Sequence, residues 1–248
     1  MIHVRHLSHT FGTHWALKDC TFSLEKGDFL FLSGPSGAGK STLLRLLYGA
    51  LPVQRGEARV ADMPLHSLKH RQLPALRRKV GVVFQDFKIL PIRTVTENIA
   101  LPLEVRGLAT QQVERRVRAV ARALGLENHL QTPCGALSGG EQQRIALARA
   151  ILKDAPIVLL DEATAFADPE NEHKIQMAFE RLTKGKTVLM IAHRLPTIQN
   201  ADESLVLEQG TVAEQGDHDA LMAQNGIYAS MWRDYQTSIA WNIGKEGH

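Results

Sequence analysis

The sequence has little cysteine, no long hydrophobic run and no strong excess of charge. Cys20 and Cys134 are too few for a disulfide framework, and the eleven histidines lack the spacing of metal ligands. No apolar run approaches the roughly 20 residues that a membrane-spanning helix needs, and no signal peptide is visible. We therefore expect a cytoplasmic chain without a membrane span. If it acts in transport, its membrane part is a separate chain or has been cut away.

The net charge of +3 is too small to require a nucleic-acid partner. Basic residues cluster in residues 71–79 and 115–122, and the second cluster follows a helical pattern with Val113, Val117 and Val120 on its apolar side. A solvated basic helix face is the favoured interpretation. Attraction to anionic lipid headgroups or to an acidic partner loop is the alternative. The length and the 44% hydrophobic content suit one large α/β unit or two closely packed subdomains.

A phosphate-binding pattern, G-x-x-x-x-G-K-[ST], occupies residues 34–41 and continues to Thr42. It follows an apolar run at residues 29–32 that predicts a buried strand, and precedes a helical run at residues 43–47. Glycines let the backbone turn its N–H groups toward phosphate, and the helix N-terminus adds positive charge. Lys40 would reach the β- and γ-phosphates, and the Ser41 hydroxyl would bind Mg²⁺. An ordinary glycine-rich turn is the alternative.

A second apolar run, at residues 157–160, ends in Asp161 and Glu162. A continuous apolar run predicts a central parallel strand, and ligands of open α/β sheets bind at the carboxyl ends of such strands. Asp161 would support Mg²⁺, and Glu162 would act as general base toward the attacking water. Ordinary buried strands also end in acids, so the interpretation depends on the phosphate loop.

These motifs resemble those of ABC ATPases over nearly the whole chain. Residues 34–42 resemble the Walker A motif and residues 157–162 the Walker B motif. The signature motif is matched by Leu137-Ser138-Gly139-Gly140-Glu141 and continues with Gln142, Gln143 and Arg144. Single-residue matches are the Q-loop glutamine Gln85 and the H-loop histidine His193, and the D-loop is matched by Ala167 and Asp168. Phe11 lies where the family places an aromatic residue against adenine.

The resemblance implies a P-loop NTPase of the α/β class, with a RecA-like core, an antiparallel β subdomain and an α-helical signalling subdomain. Its segments would be residues 1–84, 85–155 with the Q-loop and signature, 156–216, and a helical tail at 217–248. ATP and Mg²⁺ would be the ligands. The implied nucleotide-binding residues are Phe11, Gly34, Pro35, Ser36, Gly37, Ala38, Gly39, Lys40, Ser41, Thr42, Ser138, Gly139, Gly140 and Glu141. The implied catalytic residues are Lys40, Gln85, Glu162 and His193. The implied Mg²⁺ ligands are Ser41, Gln85 and Asp161, and the dimer contact would include Ala167 and Asp168.

Several of these residues have plainer alternatives when taken alone. A serine before two glycines is a common helix N-cap, which would explain Ser138. His193 alone could be a buried histidine with satisfied hydrogen bonds, and Gln85 a polar strand end. Phe11 alone could belong to the core.

The family resemblance also implies partners. Two copies, or an ABC heterodimer, would close head to tail on ATP, each site using the signature of its twin. The dimer would drive an integral membrane permease or an FtsX-like subunit from the inner face of the cell membrane, without nucleic acid. A regulatory or scaffold subunit of a cell-division complex is the rival. Action on DNA or ribosomes is disfavoured, because the chain has neither coiled-coil insertions nor tandem domains.

The branch of the ABC family that the sequence resembles differs along the chain. Residues 1 to about 145 resemble the cell-division branch, FtsE, on residues 82–91 and the signature. Residues from about 145 to 248 resemble exporter-type domains, particularly the siderophore-transport branch, on residues 160–172 and 210–232. We therefore hypothesise a chimera with its junction in residues 138–156. The alternatives are a natural divergent protein and an engineered chimera with no native partner.

Hydrophobic patterns predict the remaining elements. The expected strands are residues 2–4, 16–24, 29–32, 59–61, 80–84, 187–191 and 204–207. The expected helical regions are residues 94–130, the segment after Ser138 and a tail from Asp219. Within residues 94–130 one helix starts at Thr96 and a longer one covers residues 110–126. In that tail Tyr228, Met231, Trp232 and Tyr235 form a stripe that we expect to pack against the core, with partner contact as the alternative.

Overall fold

The computed structural model describes residues 1–161, 169–191 and 201–243, excluding the side chains of residues 169–173 and 238–243. The chain divides into two compact units, one formed by Met1–Leu76 with Thr187–His248 and the other by Arg77–Lys186. The strands are β1 (Ile2–Phe11), β2 (His14–Leu24), β3 (Phe29–Ser33), β4 (Arg55–Val60), β5 (Met63–Pro64), β6 (Val80–Val83), β7 (Ile157–Asp161), β8 (Thr187–Ile191), β9 (Glu203–Glu208) and β10 (Thr211–Gly216). The helices are α1 (Lys40–Leu47), α2 (Leu73–Lys79), α3 (Val95–Glu104), α4 (Thr110–Ala123), α5 (Gly139–Lys153), α6 (Pro169–Thr183), α7 (His218–Gln224) and α8 (Ile227–Ile243).

The first unit begins with an antiparallel sheet in the order β2-β1-β4-β5. Strands β1 and β2 are joined by a short turn, and Phe11 pairs with His14 at its tip. Leu7 and Leu17 are fully buried. Apolar residues that alternate with exposed ones explain why the sheet buries one face.

The same unit carries a second sheet segment in the order β10-β9-β3-β8. Strand β3 runs parallel to both β8 and β9, while β9 and β10 form an antiparallel hairpin. Leu30, Phe31 and Leu32 are buried, as expected of a central parallel strand that is covered on both faces. The strand ends at Ser33, so the phosphate loop begins at its carboxyl end.

The second unit contains β6 and β7 as a parallel pair, with Val83 opposite Leu160. It also contains helices α3 to α6. Helix α5 buries Ile145, Leu147 and Ala148 and contacts α3, α4 and α6. The helix that follows the signature is therefore the centre of this unit's packing.

The tail forms α7 and α8, and Asp217 caps α7 by accepting a hydrogen bond from the Ala220 N–H at 2.8 Å. Tyr228 and Trp232 are buried, which agrees with the predicted packing role. The Tyr228 hydroxyl lies 2.8 Å from Nδ1 of His218.

Some predicted elements differ in extent. The strand expected at residues 59–61 is β4, which begins at Arg55. The two helices expected within residues 94–130 are α3 and α4; α3 begins at Val95, and α4 ends at Ala123 before a short 3₁₀ turn at Glu127–His129. Strand β10 was not predicted, because its residues alternate between exposed and half-buried and carry little apolar signal.

Candidate nucleotide site

The phosphate loop connects β3 to α1, as the sequence predicted. Gly34 and Gly39 have φ values of 133° and 105°, a region that side chains rarely adopt. A Cβ on Gly34 would collide with the Leu207 carbonyl oxygen, and one on Gly39 would collide with that of Ala16 and lie 2.8 Å from Leu17 Cδ2. Glycine is thus required at both positions by backbone conformation and by close packing.

Lys40 is the first residue of α1 and is only 8% exposed. Its ammonium donates to the carbonyl oxygens of Gly34 at 2.8 Å and Pro35 at 2.9 Å. The positive charge is thereby held against the loop. The N-cap, Gly39, offers no side-chain acceptor, so no side chain caps the first N–H groups of α1. A cation beside an uncapped helix start is a suitable cradle for phosphate.

The loop's outer residues are open to solvent. Pro35, Ser36, Gly37 and Ser41 are exposed, while Ala38 is buried and its carbonyl accepts from the Gly210 N–H at 3.2 Å. The hydroxyl of Ser41 is therefore accessible to a ligand, and Ala38 anchors the loop to the turn between β9 and β10 in the same unit.

Phe11 lies at the end of β1 and is 48% exposed, unlike most large apolar residues of the chain. It belongs to the same unit as the phosphate loop. A ring with a free face is suitable for stacking on a nucleobase.

Gln85 and Asp161 follow neighbouring parallel strands in the second unit. Gln85 is exposed and lies two residues after β6, and the half-buried Asp161 ends β7. Because parallel strands end at the same edge, their carbonyl and carboxylate oxygens lie on one side of this pair. Such oxygens have the chemistry that Mg²⁺ prefers.

The signature residues form the N-terminus of α5. Ser138 is the N-cap; its Oγ accepts from the Glu141 N–H at 3.3 Å and lies 2.9 Å from Glu141 Oε2, which also accepts from the Ser138 N–H at 2.8 Å. This is a complete capping box. Burial tends to raise the pKa of Glu141, but the hydrogen bonds from Ser138, with the nearby His129 and Arg144, outweigh it, and the pKa is lowered.

Some predicted site residues lie outside the described residues. They are Glu162, Ala167, Asp168 and His193. Within the described ranges, no cluster of three or more histidine, cysteine, aspartate or glutamate side chains could hold a metal, and no helix is both long and apolar enough to cross a bilayer.

Sequence reasoning did not identify a buried polar network beside the signature. Asn98 on α3 is fully buried and hydrogen-bonded to Leu90, while Arg149 on α5 donates to the Lys88 carbonyl oxygen at 2.7 Å. Asn98 also lies 3.1 Å from the Cys134 sulfur. The only sequence signal was a polar residue between apolar positions of α3. The network joins the segment after Gln85 to the helix that carries the signature.

The sequence profile described as "ABC transporter" matches residues 17–165, more than half of the chain. The chain belongs to the ABC transporter family. Its α/β fold is that of the P-loop ATPase domains of this family, as the motifs predicted.

Individual ABC relatives support this assignment. IrtA of Mycobacterium tuberculosis, a mycobactin import ATP-binding/permease protein, is 43% identical over 226 residues, 90% of this chain and 26% of that protein. The cell division ATP-binding protein FtsE of Streptococcus pneumoniae is 41% identical over 199 residues, 79% of this chain and 86% of that protein. A dimeric ATP-binding cassette in a post-hydrolysis state with ADP and Pi has 29% identity and a TM-score of 0.80, covering 88% of this chain and 98% of that one.

The chain thus spans about a quarter of the length of the IrtA protein that it matches. The relatives thus include both FtsE and a mycobactin import protein. Each of the two matches is longer than either of the proposed halves. The chimera hypothesis therefore stays a prediction, which separate alignment of residues 1–145 and 146–248 would test.

Proposed function

We propose that this chain binds ATP with Mg²⁺ and hydrolyses it as one half of a head-to-tail dimer. The observation that carries the proposal is the Lys40 ammonium, held by two loop carbonyls at the uncapped start of α1. The loop's two required glycines and the accessible Ser41 hydroxyl support it. Phosphate would replace the carbonyls as the principal partner of Lys40.

In this mechanism the chain's residues position phosphate, metal and water. Mg²⁺ would supply positive charge to the phosphate oxygens, and Ser41, Gln85 and Asp161 would hold it. Glu162 would accept a proton from the water that attacks the γ-phosphorus, and Gln85 and His193 would orient that water. ADP leaves as the bond between the β- and γ-phosphates breaks.

The nucleobase would stack on Phe11. The half-exposed ring, in the unit that also holds the phosphate loop, supports this assignment. Stacking gives affinity to the base without hydrogen bonds to its edge.

The second copy would close the site with the start of α5. Ser138 and Gly139 are exposed, and Ser138 fixes the first turn through its capping box. An ordered, accessible helix N-terminus is suited to the γ-phosphate held by a twin. The similarity to a dimeric cassette supports this assembly.

We also propose a membrane partner. Ile92 is 91% exposed and Leu90 is exposed, both in the segment after Gln85. Exposed apolar side chains of this kind suit contact with a permease or an FtsX-like subunit. The chain would then act at the inner face of the cell membrane. Its working segments would be residues 1–84, 85–155, 156–216 and 217–248.

A second candidate function is ATP-dependent regulation of a cell-division complex. The observation that favours it is the match to FtsE, which covers 86% of that protein, whereas the IrtA match covers 26%. Reconstitution with a candidate membrane subunit distinguishes the two candidate functions, because a transporter moves a solute across the membrane and a regulator activates another protein.

ATPase rate measured against protein concentration tests the shared site. We expect the rate to rise more steeply than linearly, because two chains form each site. Glu162→Gln should lower turnover by about 10²- to 10⁴-fold and allow an ATP-bound dimer to persist in sedimentation. Ser138→Ala, with its site at the dimer contact, should lower turnover while leaving ATP binding to the monomer intact. A strictly monomeric Glu162→Gln protein, or full activity in Ser138→Ala, would contradict the proposal.

A further inference from the structure

His9 lies directly behind the Phe11 ring. The two ring centroids are 4.9 Å apart, with an interplanar angle of 73°, which is an edge-to-face arrangement. His9 is 2% exposed, whereas Phe11 is 48% exposed. One ring is therefore buried and fixed, and it contacts the ring that is open to a ligand.

The buried ring is also linked to the phosphate loop. His9 is paired with Leu17 in the β1–β2 ladder. The Ala16 carbonyl and the Leu17 side chain approach Gly39 so closely that a Cβ on Gly39 would lie 2.3 Å from the Ala16 oxygen and 2.8 Å from Leu17 Cδ2. A continuous packed path thus runs from the loop at Gly39 through Leu17 and His9 to Phe11, all within one unit.

The position of the His9 ring depends on packing rather than on hydrogen bonds from Nδ1. That atom is buried and has no partner among the described residues. Burial lowers the pKa of His9, which favours the neutral ring. An unpaired ring nitrogen costs free energy, and edge-to-face contact with Phe11 is a favourable interaction that this ring makes.

We propose that His9 is a positioning residue for base recognition, which holds the Phe11 ring at a fixed distance from the phosphate loop. This inference rests on the proposed role of Phe11 in stacking on adenine. His9 does not contact the nucleotide itself, because its ring is buried behind Phe11. It sets the geometry in which one nucleotide reaches Phe11 with its base and residues 34–42 with its phosphates.

Titration calorimetry with two probes tests the role of His9. ATP carries adenosine and inorganic tripolyphosphate does not, so the difference in their affinities reports recognition of the nucleoside, including its base. His9→Leu fills a similar volume without an aromatic edge, and His9→Phe keeps the edge without the nitrogen. His14→Ala is the matched control, because His14 is paired with Phe11 in the backbone ladder but makes no ring contact with it in the described structure.

We expect His9→Leu to weaken ATP by about two- to tenfold and to leave tripolyphosphate unchanged, the size expected of one aromatic pair. His9→Phe and His14→Ala should bind both probes as the unmodified chain does. Combining His9→Leu with Phe11→Ala should weaken ATP no further than Phe11→Ala alone, because His9 acts through that ring.

Three outcomes would overturn the inference in different ways. Equal weakening of ATP and tripolyphosphate by His9→Leu would assign His9 to general support of the loop. Unchanged ATP binding in His9→Leu, with weakening in Phe11→Ala, would refute His9 alone. Unchanged ATP binding in Phe11→Ala would refute the stacking assignment itself, while hydrolysis and dimerisation remain tested by Glu162→Gln.

Discussion

Arg149 and Asn98 join the signature helix to α3, because Arg149 Nε donates to the Asn98 carbonyl oxygen at 2.9 Å and another Arg149 nitrogen contacts Asn98 Oδ1. Arg149 also donates to the Lys88 carbonyl oxygen at 2.7 Å. The segment after Gln85 is thereby attached to α5, whose first turn carries Ser138. A displacement of either segment would strain the same hydrogen bonds.

Replacing Asn98 should destabilise the chain. Its buried amide donates to the carbonyl oxygens of Leu90 at 3.0 Å and Thr94 at 3.0 Å, and its Oδ1 accepts from the Leu90 N–H at 3.0 Å. Asn98→Ala removes the side-chain acceptor of the buried Leu90 N–H and of the Arg149 guanidinium, so we expect a loss of about 2–4 kcal/mol in urea unfolding. Gln112→Ala, exposed on α4, should change stability by less than about 0.5 kcal/mol. Equal stability of the two variants would contradict this account.

Removing the Lys40 ammonium should abolish tight nucleotide binding. Lys40→Ala deletes the charge held at the loop, and we expect ATP affinity to fall by at least about tenfold. Arg45→Ala removes an exposed cation from the same helix and should have little effect. Calorimetric titration with Mg·ATP compares the two. Similar affinities would show that Lys40 contacts no phosphate.

Gly39 and Gly107 give a matched test of backbone strain. Both have positive φ, but a Cβ on Gly39 meets Ala16 and Leu17, whereas one on Gly107 has nothing within 4 Å. Gly107→Ala should cost about 1 kcal/mol, and Gly39→Ala should cost about 2–4 kcal/mol because overpacking adds to strain. ATP binding should fall only in Gly39→Ala. Chemical denaturation and nucleotide titration measure both effects.

The thiol of Cys20 should react slowly in the folded chain. Burial raises its pKa to about 11, with a smaller opposing effect from a hydrogen bond with the Lys18 backbone. At pH 8 only about one thiol in a thousand is then ionised. Maleimide labelling of a Cys134→Ser variant should be slow in buffer, accelerate as the pH rises toward 11, and become fast in urea. Fast labelling in buffer at pH 8 would show that Cys20 is accessible.

Glu141 should make stability depend on pH. Because its folded pKa is lowered, the carboxylate contributes stability above its unfolded pKa, and this contribution is lost as the pH falls through the folded pKa. The difference in unfolding free energy between the unmodified chain and Glu141→Gln should therefore be largest near pH 7 and disappear in acid. Ser138→Ala should reduce that pH dependence, since Ser138 supplies the hydrogen bonds. A difference that is constant with pH would refute the capping role.

The sequence predicted the parts of the site that depend on local patterns. Glycine spacing identified the loop around Lys40, and a serine before two glycines identified the start of α5. The network of Asn98 and Arg149 was not predictable, because these residues are 51 positions apart and meet only when α3 packs on α5. His9 was missed for a related reason, since strand register and packing against Leu17 place its ring behind Phe11.

The capping box of α5 has a consequence for how selective the signature is. The Ser138 hydroxyl is already engaged by the Glu141 carboxylate in the single chain, and that carboxylate repels other anions. A free phosphate ion would have to displace the hydrogen bond between Ser138 and Glu141 and approach the negative Glu141 carboxylate, so its binding free energy there is small. In the proposed dimer, a nucleotide held in register by a second copy would bring Mg²⁺ and a fixed orientation, so this exchange would become favourable only on assembly.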